Sequence, residues 1–328
     1  MRVGVVSIIS PCYNTGKYIH RLLNSILEQT YTQIEMFVID DGSEDNTKDV
    51  VYSYIPNFES KGYTLTYIYQ SNQGQSAAIN NGLKYITGEF LTWPDSDDFY
   101  SSSKSISTMV ETLQNNPEYG LCRCLTEFVD EESLEVIKKI RNDIYFQKES
   151  LFEDCLFGEN GYLWPPINYM CRMDSLISVN PQMKIFISKL AGQNRQMLLP
   201  LYYNYKCKSI PVILTNVLER ISSHSRNQFR DYQSKCEKLN AYEATIYATL
   251  DSIQQMSRHK KEEYSKSIHN KYLKEHFLLA FRSNERKEAI RYGKEMRNGN
   301  VLSRGLWIKY LIASNVITYW LLKKIKPQ

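Results

Sequence analysis

The stretch "FLTWPDSDDFY", Phe90 to Tyr100, sets Asp95, Asp97 and Asp98 within four residues, directly after an apolar run. Carboxylates that close repel one another. Pro, Asp and Ser form turns, so a solvated turn is the plain reading. A cation site is the sharper one, because oxygens crowded together are stabilised by a positive ion among them. The surrounding sequence favours the second.

Upstream of this stretch, strand and helix signals alternate. "VGVVSIIS" (3–10) is a β-rich apolar run, followed by the turn-like "PCYNTGKY" (11–18). "YIHRLLNSILEQ" places Ile19, Leu22, Leu23, Ile26 and Leu27 at helical spacing. "IEMFVID" (34–40) reads as a second strand, and "DNTKDVVYSYI" (45–55) as a helix capped by Asp45 or Asn46. "LTYIYQ" (65–70) is a third strand, "GQSAAINNGLKYI" (74–86) a helix, and "EFLTWP" (89–94) a fourth strand. This β-α-β-α-β-α-β order predicts a mostly parallel sheet flanked by helices. Ligands of such sheets bind beyond the carboxyl ends of the strands. "PCYN", "DDGS", "SNQGQS" and "PDSDD" all fall there, and four polar loops on one edge make one site.

The chemistry of that edge follows from its residue types. Asp95 and Asp97, two apart on irregular backbone, can aim at one point. Hard divalent ions such as Mg²⁺ and Mn²⁺ take carboxylate ligands and complete their shells with substrate phosphates and water. Of the acid pair Asp40-Asp41, one carboxylate can accept from a nucleobase N–H while the other holds the turn or caps the next helix. Gly74 stands at the head of a helix, where backbone N–H groups can receive phosphate or other polar substrate groups. No GxGxxG follows the first strand and no GxxxxGK[ST] occurs, which argues against a dehydrogenase-type dinucleotide fold and a P-loop NTPase.

Taken together, "VSIISPCYNTGKYIHRLLNSILEQTY", "IEMFVIDDGSEDNT", "NQGQSAAINNGL" and "GEFLTWPDSDDFY", in that order, resemble the nucleotide-sugar half of family 2 glycosyltransferases. The resemblance is dense over about 3–100 and weaker to about 226. It implies an α/β, Rossmann-like GT-A fold with a mostly parallel sheet flanked by helices. The GT-A domain would span 1–226, with a nucleotide-sugar half (1–100) and an acceptor half (101–226). A basic helical extension would fill 227–328. The implied reaction moves a sugar from a nucleotide sugar, a UDP-sugar first, to a carbohydrate or polyprenyl-diphosphate-linked acceptor in bacterial surface-polysaccharide synthesis (O-antigen or capsule). Pro11, Tyr13, Asn14, Asp41, Gln73, Gly74 and Asp95 would meet the donor. Asp97 and Asp98 would be catalytic, Asp97 by binding the metal that bridges the diphosphate. Asp97 and His224 would hold Mn²⁺ or Mg²⁺.

Relatives usually invert the anomeric centre, which calls for a general base, commonly the Asp of a Glu-Asp pair at a helix head. The matching segment "KLAGQNRQMLLP" carries Gln193-Asn194 instead, and neither amide can act as a base. The two amides would then lie on the acceptor side, with Asp174, Glu153 or Asp154 as base. Similar "GQN" segments occur in bacterial surface-polysaccharide enzymes, which favours an active subgroup. Trp93, Trp164, Tyr202 and Tyr203 are candidates for stacking on sugar rings, Trp164 foremost.

Bulk properties complete the reading. The net charge is +4, but residues 251–328 carry 17 Lys+Arg against 7 Asp+Glu, so the first 250 residues are net acidic. "GLWIKYLIASNVITYWLLKKIKPQ" closes the chain, slightly short and too polar for a span. Trp307, Trp320 and the following lysines suit an interfacial helix or a packed one. The seven scattered cysteines suggest reduced thiols, and "MRVGVVSIIS" reads as a strand rather than a signal peptide. A cytoplasmic location follows, with the inner membrane's cytoplasmic face as the place of any peripheral contact. Nucleic acid is not an expected partner. The competing readings are a non-catalytic carbohydrate-binding or scaffold relative and a nucleotidyltransferase.

Overall fold

A computed structural model describes residues 1–140, 144–162, 164–220, 229 and 231–319. Nine strands form one sheet: β1 (Arg2–Cys12), β2 (Ile34–Asp40), β3 (Thr64–Tyr69), β4 (Gly88–Thr92), β5 (Phe99–Tyr100), β6 (Tyr119–Asp130), β7 (Val136–Lys139), β8 (Tyr169–Arg172) and β9 (Lys206–Glu219). Their order is β3-β2-β1-β4-β8-β6-β9-β5, with β7 paired to the far end of β6. Strands β3, β2, β1 and β4 are parallel, as the sequence predicts, and β8 reverses direction against β4.

Register follows from apolar pattern. β1 and β2 are buried on both faces and pair from Val6↔Ile34 to Cys12↔Asp40. Runs of this kind suit a parallel sheet covered on both sides. The helix Ile19–Leu27 buries Ile19, Leu22, Leu23 and Ile26 completely. Each such side chain contributes roughly 1.5–3 kcal/mol of burial free energy. Thr47–Ser60 and Ser105–Asn115 add Val51, Phe58, Ile106, Met109 and Leu113 to the same core.

Two helices run through a proline: Thr47–Ser60 through Pro56 and Asn194–Asn204 through Pro200. Neighbouring packing holds both helices where local sequence signals a break. Asp45 rather than Asn46 supplies the cap oxygen, accepting from the Thr47 N–H at 3.0 Å.

All seven cysteines are buried and free. By internal contacts the chain divides into Met1–Ser223 with Ala248–Met256, and His224–Tyr247 with Ser257–Gln328. The second unit is helical: Arg258–Arg282, Arg286–Asn298 and Arg304–Ser314 pack around Leu273, Phe277, Phe281, Met296 and Tyr310. Among the described residues no helix is long and apolar enough to cross a membrane. Trp320 and the terminal lysines lie outside the described residues.

Candidate active site

The carboxyl ends of β1 to β4 meet at one edge, and each loop there is held by a particular carboxylate. Asp40, at the end of β2, accepts from the Ser43 N–H at 2.8 Å and the Tyr67 hydroxyl at 2.6 Å. Asp41 accepts from Gln70 Nε2 at 2.8 Å, the Gln73 N–H at 2.9 Å and the Gly74 N–H at 2.7 Å. Both Asp41 oxygens are therefore committed to the 70–74 loop. Asp41 thus positions this loop, and Gln73 and Gly74 turn their N–H groups toward it.

Gly74 has a second constraint. Its φ is +94°, and a Cβ there would lie 3.0 Å from Lys189 Cα and the Ser188 carbonyl. Only glycine suits that close approach. Of the first loop, Pro11 is buried as part of β1, and Tyr13 is half-buried. Asn14 stands exposed with φ at 51°, its Oδ1 accepting from the Glu44 N–H at 2.8 Å. Loop one is thereby fastened to loop two.

The three acids after β4 have three different surroundings. Asp95 accepts from Gln75 Nε2 at 2.6 Å and Gln193 Nε2 at 3.5 Å. Asp98, 4% exposed, accepts from the Leu218 N–H at 3.1 Å and so fastens the end of β9. Asp97 pairs with Arg220 Nη2 at 2.8 Å. The Arg220 guanidinium also lies 4.7 Å from the Tyr18 ring centroid, while its buried Nε has no partner among the described residues.

The expectation of a cation among the acids meets a built-in one. Arg220 supplies one positive charge against three carboxylates. Desolvation, then the neighbouring Asp97 charge, raises Asp95 to about 7 against the pull of Gln193, Gln75 and Arg220. Desolvation also raises Asp97 against the pull of Arg220, and raises Asp98, with Asp97 and Asp95 adding to it.

These shifts fix a pH dependence. A carboxyl whose folded pKa exceeds its unfolded value binds protons preferentially in the folded state. Stability should therefore fall as pH rises from about 4 through about 7, where Asp95 titrates, with Asp97 and Asp98 contributing in the same direction. Asp95→Asn, which keeps an oxygen for Gln75, should be no less stable than wild type at pH 8. Urea melts at pH 5, 6.5 and 8 check this. A mutant less stable than wild type at pH 8 contradicts it.

Among the described residues, no group of three or more His, Cys, Asp or Glu is placed to hold a metal ion. His224 lies outside the described residues. Gln193 lies against the acid cluster and Asn194 against Trp164. Gln193 is fully buried against Asp95, and Asn194 Nδ2 donates to the Trp164 carbonyl at 2.9 Å. Two base candidates are elsewhere. Asp174 follows Arg172, which ends the antiparallel β8 opposite Phe90 in the middle of β4, so the chain there is heading toward the opposite edge of the sheet. Asp154 is buried in an ion pair with Lys148 at 2.6 Å, lining a cavity of about 260 Å³ with Arg123 and Tyr162. Trp93 and Tyr202 are buried in the core, so neither offers a stacking face.

Sequence reasoning missed Arg220 and Gln75. Arg220 closes β9 four residues before His224, and an arginine at a strand end beside a candidate metal ligand was the available signal. Gln75 stands one residue beyond Gly74 in a motif already singled out.

Comparison with known proteins agrees with this layout. The model of glycosyl transferase family 2 matches residues 7–173, just over half of the chain. The chain belongs to glycosyl transferase family 2. An uncharacterised glycosyltransferase of Rickettsia typhi is 34% identical over 148 residues, covering 45% of this chain and 44% of that one. Glycosyltransferase GlyA of Streptococcus pneumoniae is 38% identical over 108 residues, covering 33% of this chain and 14% of that one. The family 2 chain thus spans less than half the length of these curated relatives. S. aureus TarS, solved in complex with UDP-GlcNAc, superposes with a TM-score of 0.64 at 16% identity, over 98% of this chain and 90% of that one. A Pyrobaculum calidifontis mannosyltransferase in complex with GDP-Man and Mn²⁺ gives 0.54 at 14% identity, over 98% and 86%. These likenesses show that the family 2 chain has the GT-A fold.

Proposed function

We propose that this protein transfers a sugar from a nucleotide sugar, a UDP-sugar first, to a carbohydrate or polyprenyl-diphosphate-linked acceptor in bacterial surface-polysaccharide synthesis. The observation that carries the reading is the Asp97–Arg220 pair at the carboxyl edge of the parallel strands. It sets one carboxylate and one guanidinium where a diphosphate and its counter-ion would lie. Family membership and neighbours solved with UDP-GlcNAc and with GDP-Man support it.

Residues 1–226 would form the transferase domain. The donor would lie along the edge, near Tyr13, Asn14 and Asp95, with Gln75 and Gln193 keeping Asp95 in place. Arg220, whose Nε–H has no partner among the described residues, would bond a diphosphate oxygen. Among the described residues no closed all-protein cage is available for a metal. A hard dication held by Asp97, its shell completed by phosphate and water, fits the oxygen chemistry of that carboxylate. When bound, Mn²⁺ or Mg²⁺ would stabilise charge on the departing diphosphate.

Inversion at the anomeric carbon would need a proton acceptor on the far side. With Asp174 and Asp154 placed elsewhere, Glu153 is the base we propose, exposed on the helix Phe152–Phe157 that packs against Asn194–Asn204. The amides at 193–194 favour one second reading, a carbohydrate-binding relative without transfer. Outward-facing Trp307, Ile308 and Leu311 on a basic helix support peripheral contact with the cytoplasmic face of the inner membrane.

A panel of nucleotide sugars tested by thermal shift with Mn²⁺ checks the donor assignment. At least one UDP-sugar should raise the melting temperature, because a ligand that binds only the folded state stabilises it. No shift with any donor contradicts the reading. A shift without metal-dependent release of UDP supports the second reading.

A further inference from the structure

Residues 180–193 join the helices Met173–Val179 and Asn194–Asn204 without a helix or strand of their own. The middle of this connection is nonetheless held. Asn80 Nδ2 donates to the Ile185 carbonyl at 2.8 Å, and its Oδ1 accepts from the Ile185 N–H at 2.8 Å. The Ser76 hydroxyl donates to the Ser188 carbonyl at 3.0 Å and accepts from the Ser188 N–H at 2.8 Å. Gln196 Nε2 donates to the Phe186 carbonyl at 2.9 Å. Side chains of the helices Gln75–Gly82 and Asn194–Asn204 thus fix the backbone of 185–188. Ile185 is buried, while Phe186 and Ile187 are turned out, 49% and 47% exposed.

A single exposed apolar residue is ordinary. Here two adjoin, on backbone pinned so that they cannot fold back onto the core. Lys184 and Lys189 flank them, both exposed and, among the described residues, without an ion pair. No Asp or Glu occurs in 180–193 or in the supporting helix Gln75–Gly82, although the first 250 residues are net acidic. An apolar pair between two lysines is complementary to anionic lipid headgroups lying over an acyl layer.

The position of this tip matters as well. Gly74 lies against Ser188 and Lys189, and the next residue, Gln75, donates to Asp95 at 2.6 Å. The tip therefore stands beside the carboxyl edge of the sheet.

We propose that residues 184–189 are a membrane anchor on the transferase unit, and that their partner is an anionic bilayer. Phe186 and Ile187 enter the boundary between headgroups and acyl chains, and Lys184 and Lys189 meet lipid phosphates. Because the backbone is already fixed, little loop entropy is lost on binding. The inference rests on the transferase reading for its purpose, since a lipid-linked acceptor is presented at such a surface. It is separate from the contact proposed for the helix Arg304–Ser314.

The test uses the full chain and vesicles of phosphatidylcholine, with or without phosphatidylglycerol. All seven native cysteines are buried, so Phe186→Cys takes a nitrobenzoxadiazole label at that position. Its emission should shift to the blue with phosphatidylglycerol vesicles and not with phosphatidylcholine alone. The same label on Ser60→Cys, in the helix Thr47–Ser60, should not respond. Phe186→Ser combined with Ile187→Ser should weaken cosedimentation with the anionic vesicles about tenfold, the size of two half-buried apolar side chains. Lys184→Gln combined with Lys189→Gln should weaken it about as much. Both variants should melt with the wild type, because exposed substitutions seldom change stability. The anchor is overturned by an unshifted label at 186, by cosedimentation that the serine pair leaves unchanged, or by a label shift on concentrating the protein without vesicles, which would place a second copy on the tip. A wild type that binds these vesicles through the tip but binds no nucleotide sugar would uphold the anchor and overturn the transferase reading.

Discussion

Asp97→Asn is expected to slow sugar transfer about 10²–10³-fold while the protein stays folded, the range seen when one group stabilising transition-state charge is removed. Asp97 is the acid of the three whose oxygens are least committed to holding the fold. Asp95 is occupied by two amides, and Asp98 by the Leu218 N–H. Asp97 has the ion pair with Arg220, whose guanidinium can pass to a diphosphate. Asparagine preserves the shape and removes the charge. It also relieves repulsion with Asp95 and Asp98, which offsets the lost pair, so the melting temperature should change little. UDP release under saturating donor, with a melt on the same sample, measures both. Transfer at the wild-type rate would remove Asp97 from the mechanism.

Asp41→Ala should cost about 3 kcal/mol of stability, because buried donors to a charged group are left unpaired. Two backbone N–H groups and the Gln70 amide lose their acceptor together. Asp41 is 4% exposed, so water cannot replace it without opening the loop. Once freed, the 70–74 loop no longer presses Gly74 against Ser188–Lys189, and Gln75 loses its alignment with Asp95. Donor affinity should fall alongside stability. A urea titration that finds less than about 1 kcal/mol lost would show that the loop holds without Asp41.

These two aspartates illustrate what was legible in the sequence. Both stand in acid clusters at strand ends, and the alternation of apolar runs located those ends. The four parallel strands and their shared edge follow from that pattern alone. Which carboxylate is structural and which faces solvent depends on partners far along the chain. Arg220 reaches Asp97, and Leu218 reaches Asp98, only because β9 returns beside β6 and β5. No local periodicity encodes that return. Pro200 shows the same limit from the other side: a local break signal was overruled by the burial of Met197, Leu198, Leu199 and Leu201 around it. The Gln193–Asn194 pair was placed correctly at a helix head. The direction of each amide could be read only once Asp95 and the Trp164 carbonyl were seen beside it.

The most direct measurement is anomalous scattering at the manganese edge from crystals grown with Mn²⁺ and a UDP-sugar. The account predicts one strong peak about 2 Å from an Asp97 oxygen, bridging to the donor's diphosphate. A donor bound with its diphosphate far from Asp97, or a manganese peak at some other group of acids, would contradict it.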